Sequence, residues 1–272
     1  MPNRKLLFFL VPLFLLTLSQ VHGADGQGQD LLERIDAYRA LRTESVAEVK
    51  LQELDLSARS IKKENLYRVY FDSHSNSIVE MLSADERGRR VLMTDDSVWL
   101  QIPTANRPIR ITPLQRLLGQ ANYGDVGRMT WHGSYRVASI TNADGLSRPA
   151  FTGIVQFVGT RFTDLDHLAL RHLVLESTSA TATYPRIEVW ADATTLAPVR
   201  ADYILTSGKV LKTGWFSAPE ETSSGVYTTR AIAFVDEKTP SAVTIMTTLS
   251  LERMRLQTSF FTVRGFTQRV SQ

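Results

Sequence analysis

Apolar residues follow a helical period only near the start of the chain; almost everywhere else they alternate. Over Gln29–Leu41, Leu31, Ile35, Tyr38 and Leu41 fall on one stripe with Leu32 beside them. Glu33, Arg34, Asp36 and Arg39 take the other faces, which predicts an amphipathic helix with Asp30 near its positive end. From Thr43 the period becomes two. Val49 and Leu51 open an alternation that loses its beat before Leu56, as a bulged strand does, and Tyr67, Val69 and Phe71 then share one face. Ile78–Leu82 and Val91–Met93 are short runs, and Val98, Leu100 and Ile102 oppose Trp99 and Gln101. Turn residues separate them at His74-Ser75-Asn76, Asp85-Glu86-Arg87-Gly88 and Asp95-Asp96, the spacing of an antiparallel meander.

Around residue 113 the pattern changes again. Thr112-Pro113-Leu114-Gln115 has the form of a capping box with proline at the first helical position, and Gly119 is a natural stop. These signals predict a short helix over Pro113–Leu118 whose Leu114, Leu117 and Leu118 cover the sheet. Alternation resumes in Tyr135–Ile140, Phe151–Phe157, Leu168–Ser177, Arg186–Trp190, Arg200–Leu205, Lys209–Phe216, Tyr227–Phe234 and Val243–Leu251. In the last, Val243, Ile245 and Leu249 share a face. The sum is a mainly β (α+β) chain: a curved antiparallel sheet of about eleven strands, an incomplete β-barrel covered by short helices. A pocket between sheet and cover is the natural place for a ligand.

The N-terminus changes the compartment. Arg4 and Lys5 precede an apolar run, Leu6–Leu18, that is too short to span a bilayer, and Val21-His22-Gly23 offers cleavage before Ala24, with Ala24/Asp25 as a second site. Residues 1–23 therefore read as a signal peptide and 24–272 as one domain of an exported, periplasmic protein. The chain has no cysteine, so it carries neither a lipid-anchoring cysteine nor a disulfide, and its fold must stand on its core. Of 31 basic residues two lie in the leader, which leaves the rest nearly balanced against 28 acidic ones. No basic run interleaved with aromatics suggests a nucleic-acid surface.

Candidate chemistry is sparse. His167 and His172, near Asp164 and Asp166, are spaced so that they face apart on a helix or a strand, which does not suit a metal site. No serine stands in a nucleophile-elbow context and no phosphate-binding glycine loop occurs. Asp95-Asp96 and Glu220-Glu221 fall in turns. Neither a catalytic residue, a metal ligand nor a cofactor is expected. Arg107 and Arg110, flanking Pro108, either hold an anionic head group or lock the cover to the sheet, or are ordinary surface charge. The faces Tyr67/Val69/Phe71, Val98/Leu100/Ile102 and Val243/Ile245/Leu249 are core or cavity lining.

Several segments carry a resemblance. Arg89-Arg90-Val91-Leu92-Met93, Val98–Pro103, Arg107–Pro113, Gln115–Gly119 and Tyr123-Gly124-Asp125, in that order, resemble the LolA-like family of outer-membrane lipoprotein-sorting proteins. Tyr184–Asp192, Leu196–Val199, Ser207–Thr213 and Phe261–Phe266 extend the match. The resemblance implies an incomplete barrel with a helical lid over a cavity for acyl chains, and no catalysis. It implies a lipid or lipidated protein as partner, with a possible inner-membrane transporter of the RND type and an outer-membrane acceptor. A carrier in transport toward the outer membrane is one reading; a lipid sensor or adaptor of a membrane exporter is the other.

Overall fold

A computed structural model describes residues 22–40, 43–74, 76–146, 161–162, 164–222, 225–236, 238–239 and 241–268. The apolar leader and the segment Phe151–Phe157 lie outside the described residues. Helix α1 (His22–Asp36) is followed by a meander of six strands: β1 (Ser45–Asp55), β2 (Ser60–Phe71), β3 (Ser77–Met81), β4 (Arg90–Met93), β5 (Val98–Gln101) and β6 (Ile109–Ile111). A connection follows, holding the hairpin β7 (Arg116–Leu118) and β8 (Ala121–Asn122) and the single-turn helix α2 (Tyr123–Gly127). The second half contributes β9 (Tyr135–Ala143), β10 (Leu170–Ser177), β11 (Arg186–Asp192), β12 (Pro198–Ile204) and β13 (Val210–Phe216). A small hairpin, β14 (Pro219–Glu221) with β15 (Tyr227–Thr229), precedes β16 (Ala231–Val235) and β17 (Ala242–Arg253). A 3₁₀ turn (Thr258–Phe261) and helix α3 (Val263–Gln268) come last.

Thirteen strands form one open antiparallel sheet in the order β6-β5-β4-β3-β2-β1-β17-β16-β13-β12-β11-β10-β9. Each meander runs outward from the middle, where β1 pairs with β17, Ser45 standing opposite Arg253. The irregular beat of β1 corresponds to two shifts of register, at Glu48/Val49 against β17 and at Glu53/Leu54 against β2. More strands form than the alternation predicts, because β6, β7, β8 and β14 are too short to show a period. The run Tyr227–Phe234 is two strands, broken at Arg230, that belong to different sheets.

Both faces of the sheet are covered. In β16, Ile232 and Phe234 enter the main core, whereas Ala231, Ala233 and Val235 join Leu54, Trp215, Val243 and Ile245 in a second cluster on the outer face. On the outer face of the other meander, Ile78 and Leu92 pack under Phe260, Phe261 and Phe266 of the C-terminal segment. The buried Arg90 donates to the Phe266 carbonyl at 2.7 Å and ties that segment down. Among the described residues no helix is long and apolar enough to cross a membrane.

Two helix expectations are corrected. The first helix ends at Asp36 and not at Leu41: Tyr38 and Arg39 already donate to the residues three before them, and the Asp36 carboxylate turns inward to the Trp131 and His132 amides. The Pro113–Leu118 helix does not form. Gln115 N–H closes a turn on the Thr112 carbonyl, while the Pro113 and Gln115 carbonyls accept from Gly124 and Tyr123. With those carbonyls paired to distant amides, the bonds that a helix over Pro113–Leu118 would need are no longer available. Gly119 serves the hairpin instead, at φ +53°, where an added Cβ would lie 2.2 Å from Thr244 Oγ1.

The outer cover sets a first prediction. Phe266→Ala, which opens a gap over Ile78 and Leu92, is expected to lower stability by about 3–5 kcal/mol in urea denaturation. Leu114→Ala, at a position 38% exposed, is expected to change it by no more than about 0.5 kcal/mol.

Candidate functional site

The connection from β6 to β9 starts at one edge of the sheet and ends at the other, so it crosses the concave face. From Ala121 to Met129 every residue of it is buried. Its Leu118, Tyr123, Val126, Met129 and Trp131 share one cluster with Tyr67, Val69, Phe71, Val98 and Leu100 of the sheet and Leu32 and Ile35 of α1. Helix α1 lies along the edge strand β9, where the Gln29 side-chain amide completes the ladder: it donates to the Tyr135 carbonyl and accepts from Val137 N–H, each at 3.2 Å. Close approach of α2 depends on Gly124, since a Cβ there would lie 1.9 Å from Thr183 Oγ1.

Polar groups hold this cover in place. Asp125 stands at the third helical position of α2 and accepts from Asn122 N–H at 2.6 Å and from the Tyr184 hydroxyl at 2.7 Å. Its cationic partner is Lys212 of β13, 1% exposed, which also donates to the Gln120 carbonyl at 2.7 Å. The ammonium sits over the Phe234 ring, 4.3 Å from its centre. Burial pulls the Lys212 pKa down against the opposing pull of Asp125, and burial next to that carboxylate pushes Tyr184 well up. On the α1 side, Asp36 binds Arg39 and the Trp131 and His132 amides, and burial holds its pKa above the usual carboxylate range. Arg39 lies 3.6 Å over the Trp131 ring. Arg128 donates through Nη2 to the Thr94 carbonyl, in the β4–β5 turn, and to Thr181 Oγ1, both at 2.7 Å.

The space left beneath the crossing segment is small, in contrast to the open cleft of about 420 Å³ between α1 and β9–β10. An outer cavity of about 160 Å³, lined by Phe71, Gly127, Arg128, Met129 and polar residues including Asp36 and Ser134, opens beside the α1 C-terminus. An inner one of about 20 Å³ lies between Arg128, Arg39, Trp131 and Tyr203. Ligand pockets for drug-sized molecules run to about 300–1,000 Å³. The side chains of the crossing segment therefore occupy the place expected for a ligand.

The sequence-derived candidates divide accordingly. Tyr67, Val69, Phe71, Val98 and Leu100 lie on the concave wall, Ile102 and Leu117 are half-buried against it, and Leu118 is buried under the hairpin. Val243 and Ile245 are buried in the outer-face cluster, and Leu249 and Leu114 are exposed. Arg107 and Arg110 are exposed at the edge strand, Arg110 donating to the Asp96 carbonyl at 2.8 Å. His172 stacks on Trp190 and meets Glu188 at 3.0 Å. The cations that join cover to sheet are Lys212, Arg39 and Arg128, which the sequence reading did not single out. One signal was present: within β13, Lys212 has the same parity as Phe216 and so the same, inward face.

Breaking a buried pair costs more than replacing it. Lys212→Met is expected to destabilise by about 3–5 kcal/mol, because Asp125 is left buried without its cation. Adding Asp125→Asn is expected to restore a large part of that loss in a double-mutant cycle by urea denaturation.

The fold recurs in solved structures. A LolA superfamily protein from Nitrosomonas europaea matches with a TM-score of 0.71 at 23% identity, over 86% of this chain and 97% of that one. An outer membrane lipoprotein-sorting protein domain from Vibrio parahaemolyticus gives 0.63 at 16%, over 89% and 99%. A DUF1329 family protein from Desulfovibrio piger gives 0.61 at 16%, over 89% and 98%. No curated protein matches the chain in sequence. The model of a family of uncharacterized proteins matches residues 73–268, most of the chain. The chain thus belongs to the DUF1329 family, and its open, curved antiparallel sheet is the fold seen in those LolA-superfamily structures.

Proposed function

We propose that the protein binds an acyl chain, of a lipid or a lipidated protein, against the concave wall Tyr67/Val69/Phe71/Val98/Leu100, and carries it through the periplasm toward the outer membrane. The observation that carries this reading is the apolar concave face covered by one crossing segment of its own chain. That segment imitates the ligand. Each fully buried Val, Leu or Met side chain is worth about 1.5–3 kcal/mol, so four to six cover residues amount to roughly 10 kcal/mol. A 16-carbon chain burying about 0.8 kcal/mol per methylene supplies roughly 12 kcal/mol before ordering costs. The two are of the same order, so an acyl chain can compete with the cover for the wall. A carrier needs that competition.

Fold likeness to a lipoprotein-sorting domain supports the reading, as does the export signal in the sequence. The buried carboxylates serve binding to the fold and not reaction: both oxygens of Asp125 are engaged by donors from the protein itself. This favours a binding protein over an enzyme.

The test is native mass spectrometry on protein purified from the periplasm, with lipid extraction, followed by uptake of a fluorescent fatty acid by the stripped protein. One acyl-bearing molecule per chain and saturable uptake are expected. A stripped protein that takes up neither fatty acid nor phospholipid probe refutes the proposal.

A further inference from the structure

Five charged side chains meet under the cover, and their charges do not cancel. Asp36 faces Arg39, and Asp125 faces Lys212. Arg128 has no such partner among the described residues: it is 8% exposed, it is bound there by the neutral Thr94 carbonyl and Thr181 hydroxyl, and the carboxylate acting on it is the solvent-exposed Asp95. Among these five side chains one positive charge is in excess, and it is the one on Arg128. Isolated buried charge is among the most expensive arrangements in a protein unless something pairs with it.

The donors point the same way. Nε and Nη1 of Arg128, Nε of Arg39 and Oγ1 of Thr183 are buried without a partner, four of the eight such side-chain atoms among the described residues. All three residues line the inner cavity of about 20 Å³, space for one water-sized group. Arg128 and Thr130 also line the outer cavity of about 160 Å³, so the guanidinium stands on the partition between an open space and a closed one.

We propose that Arg128, with the Nε edge of Arg39, is a binding site for a monovalent anion, reached through the outer cavity. The anion is a carboxylate, supplied by the head of a long-chain acid or by a free small acid, or chloride. A single excess charge selects a monoanion. So do the carboxylates of Glu33, Asp36 and Asp72 on the outer cavity, which repel a phosphate dianion more strongly. Asp36 and Asp72 do not compete for Arg128, since their oxygens already accept from Arg39 and the Trp131 and His132 amides, and from the 74–76 turn. The fatty-acid source rests on the acyl-binding reading above; the anion site itself does not.

The experiment compares dodecanoate with dodecanol, which share a chain and differ in head charge, by titration calorimetry on the stripped full chain. A second arm follows chloride by ³⁵Cl line broadening, with acetate as competitor. Wild type is expected to prefer dodecanoate by about tenfold or more, the scale of a charge-assisted hydrogen bond, and Arg128→Gln to reduce that ratio to near unity. Chloride broadening that acetate reverses and Arg128→Gln removes identifies a free-anion site even if neither chain binds, in which case the acyl reading fails and this one stands. Equal binding of dodecanoate and dodecanol, with chloride broadening no greater in wild type than in Arg128→Gln, overturns the proposal and leaves acyl binding intact. If Arg128→Gln fails to fold, the wild-type head-group ratio and the acetate competition decide alone.

Discussion

An open sheet with an apolar concave face must bury that face, and the topology determines what buries it. Because the first and last strands pair in the centre, the two edges of the sheet are joined only by the residues between β6 and β9. Those residues have to cross the concavity, and once there they must be apolar where they meet the wall and hydrogen-bonded where their backbone is enclosed. The β7–β8 hairpin, the single turn of α2 and its Asp125 cap follow from that demand. Helix α1 then fills what the crossing leaves uncovered at the β9 edge.

The cover is held by charge as well as by packing. Buried ion pairs contribute little net stability but penalise every arrangement in which one partner is missing. Asp125–Lys212 and Asp36–Arg39 therefore specify where the crossing segment sits more than how firmly it sits. Apolar contacts alone, being non-directional, would fix its position along the wall less well. The cover thus divides its labour: area supplies the affinity for the wall and charge supplies the position.

Much of the sheet was legible in the sequence because alternation is a local consequence of which face is buried. β2, β4, β5, β11 and β17 were found within a few residues of their ends, apart from the unanticipated N-terminal stretch of β2. The cover was not legible. Thr112-Pro113-Leu114-Gln115 carries the local signs of a helix start, yet the Pro113 and Gln115 carbonyls find their partners in Gly124 and Tyr123, a competition that no local pattern records. The buried cations do not stand out in the sequence for a related reason. Arg107 and Arg110 drew attention through their spacing around Pro108, whereas Lys212 and Arg128 matter because strands distant in sequence enclose them. Only the inward parity of Lys212 hinted at this.

The central seam has a consequence for how the molecule comes into being. Ser45 cannot meet Arg253 until nearly the whole chain is present, and Phe266, which closes the outer face over β3 and β4, follows later still. Neither meander has a finished edge on its own: β1 waits for β17, and Ile78 and Leu92 wait for the last helix. Contacts so far apart in sequence slow folding and leave an early chain with unpaired strand edges. A growing chain is thus kept from closing its sheet until its last strand and helix arrive, so that its stability comes all at once and late.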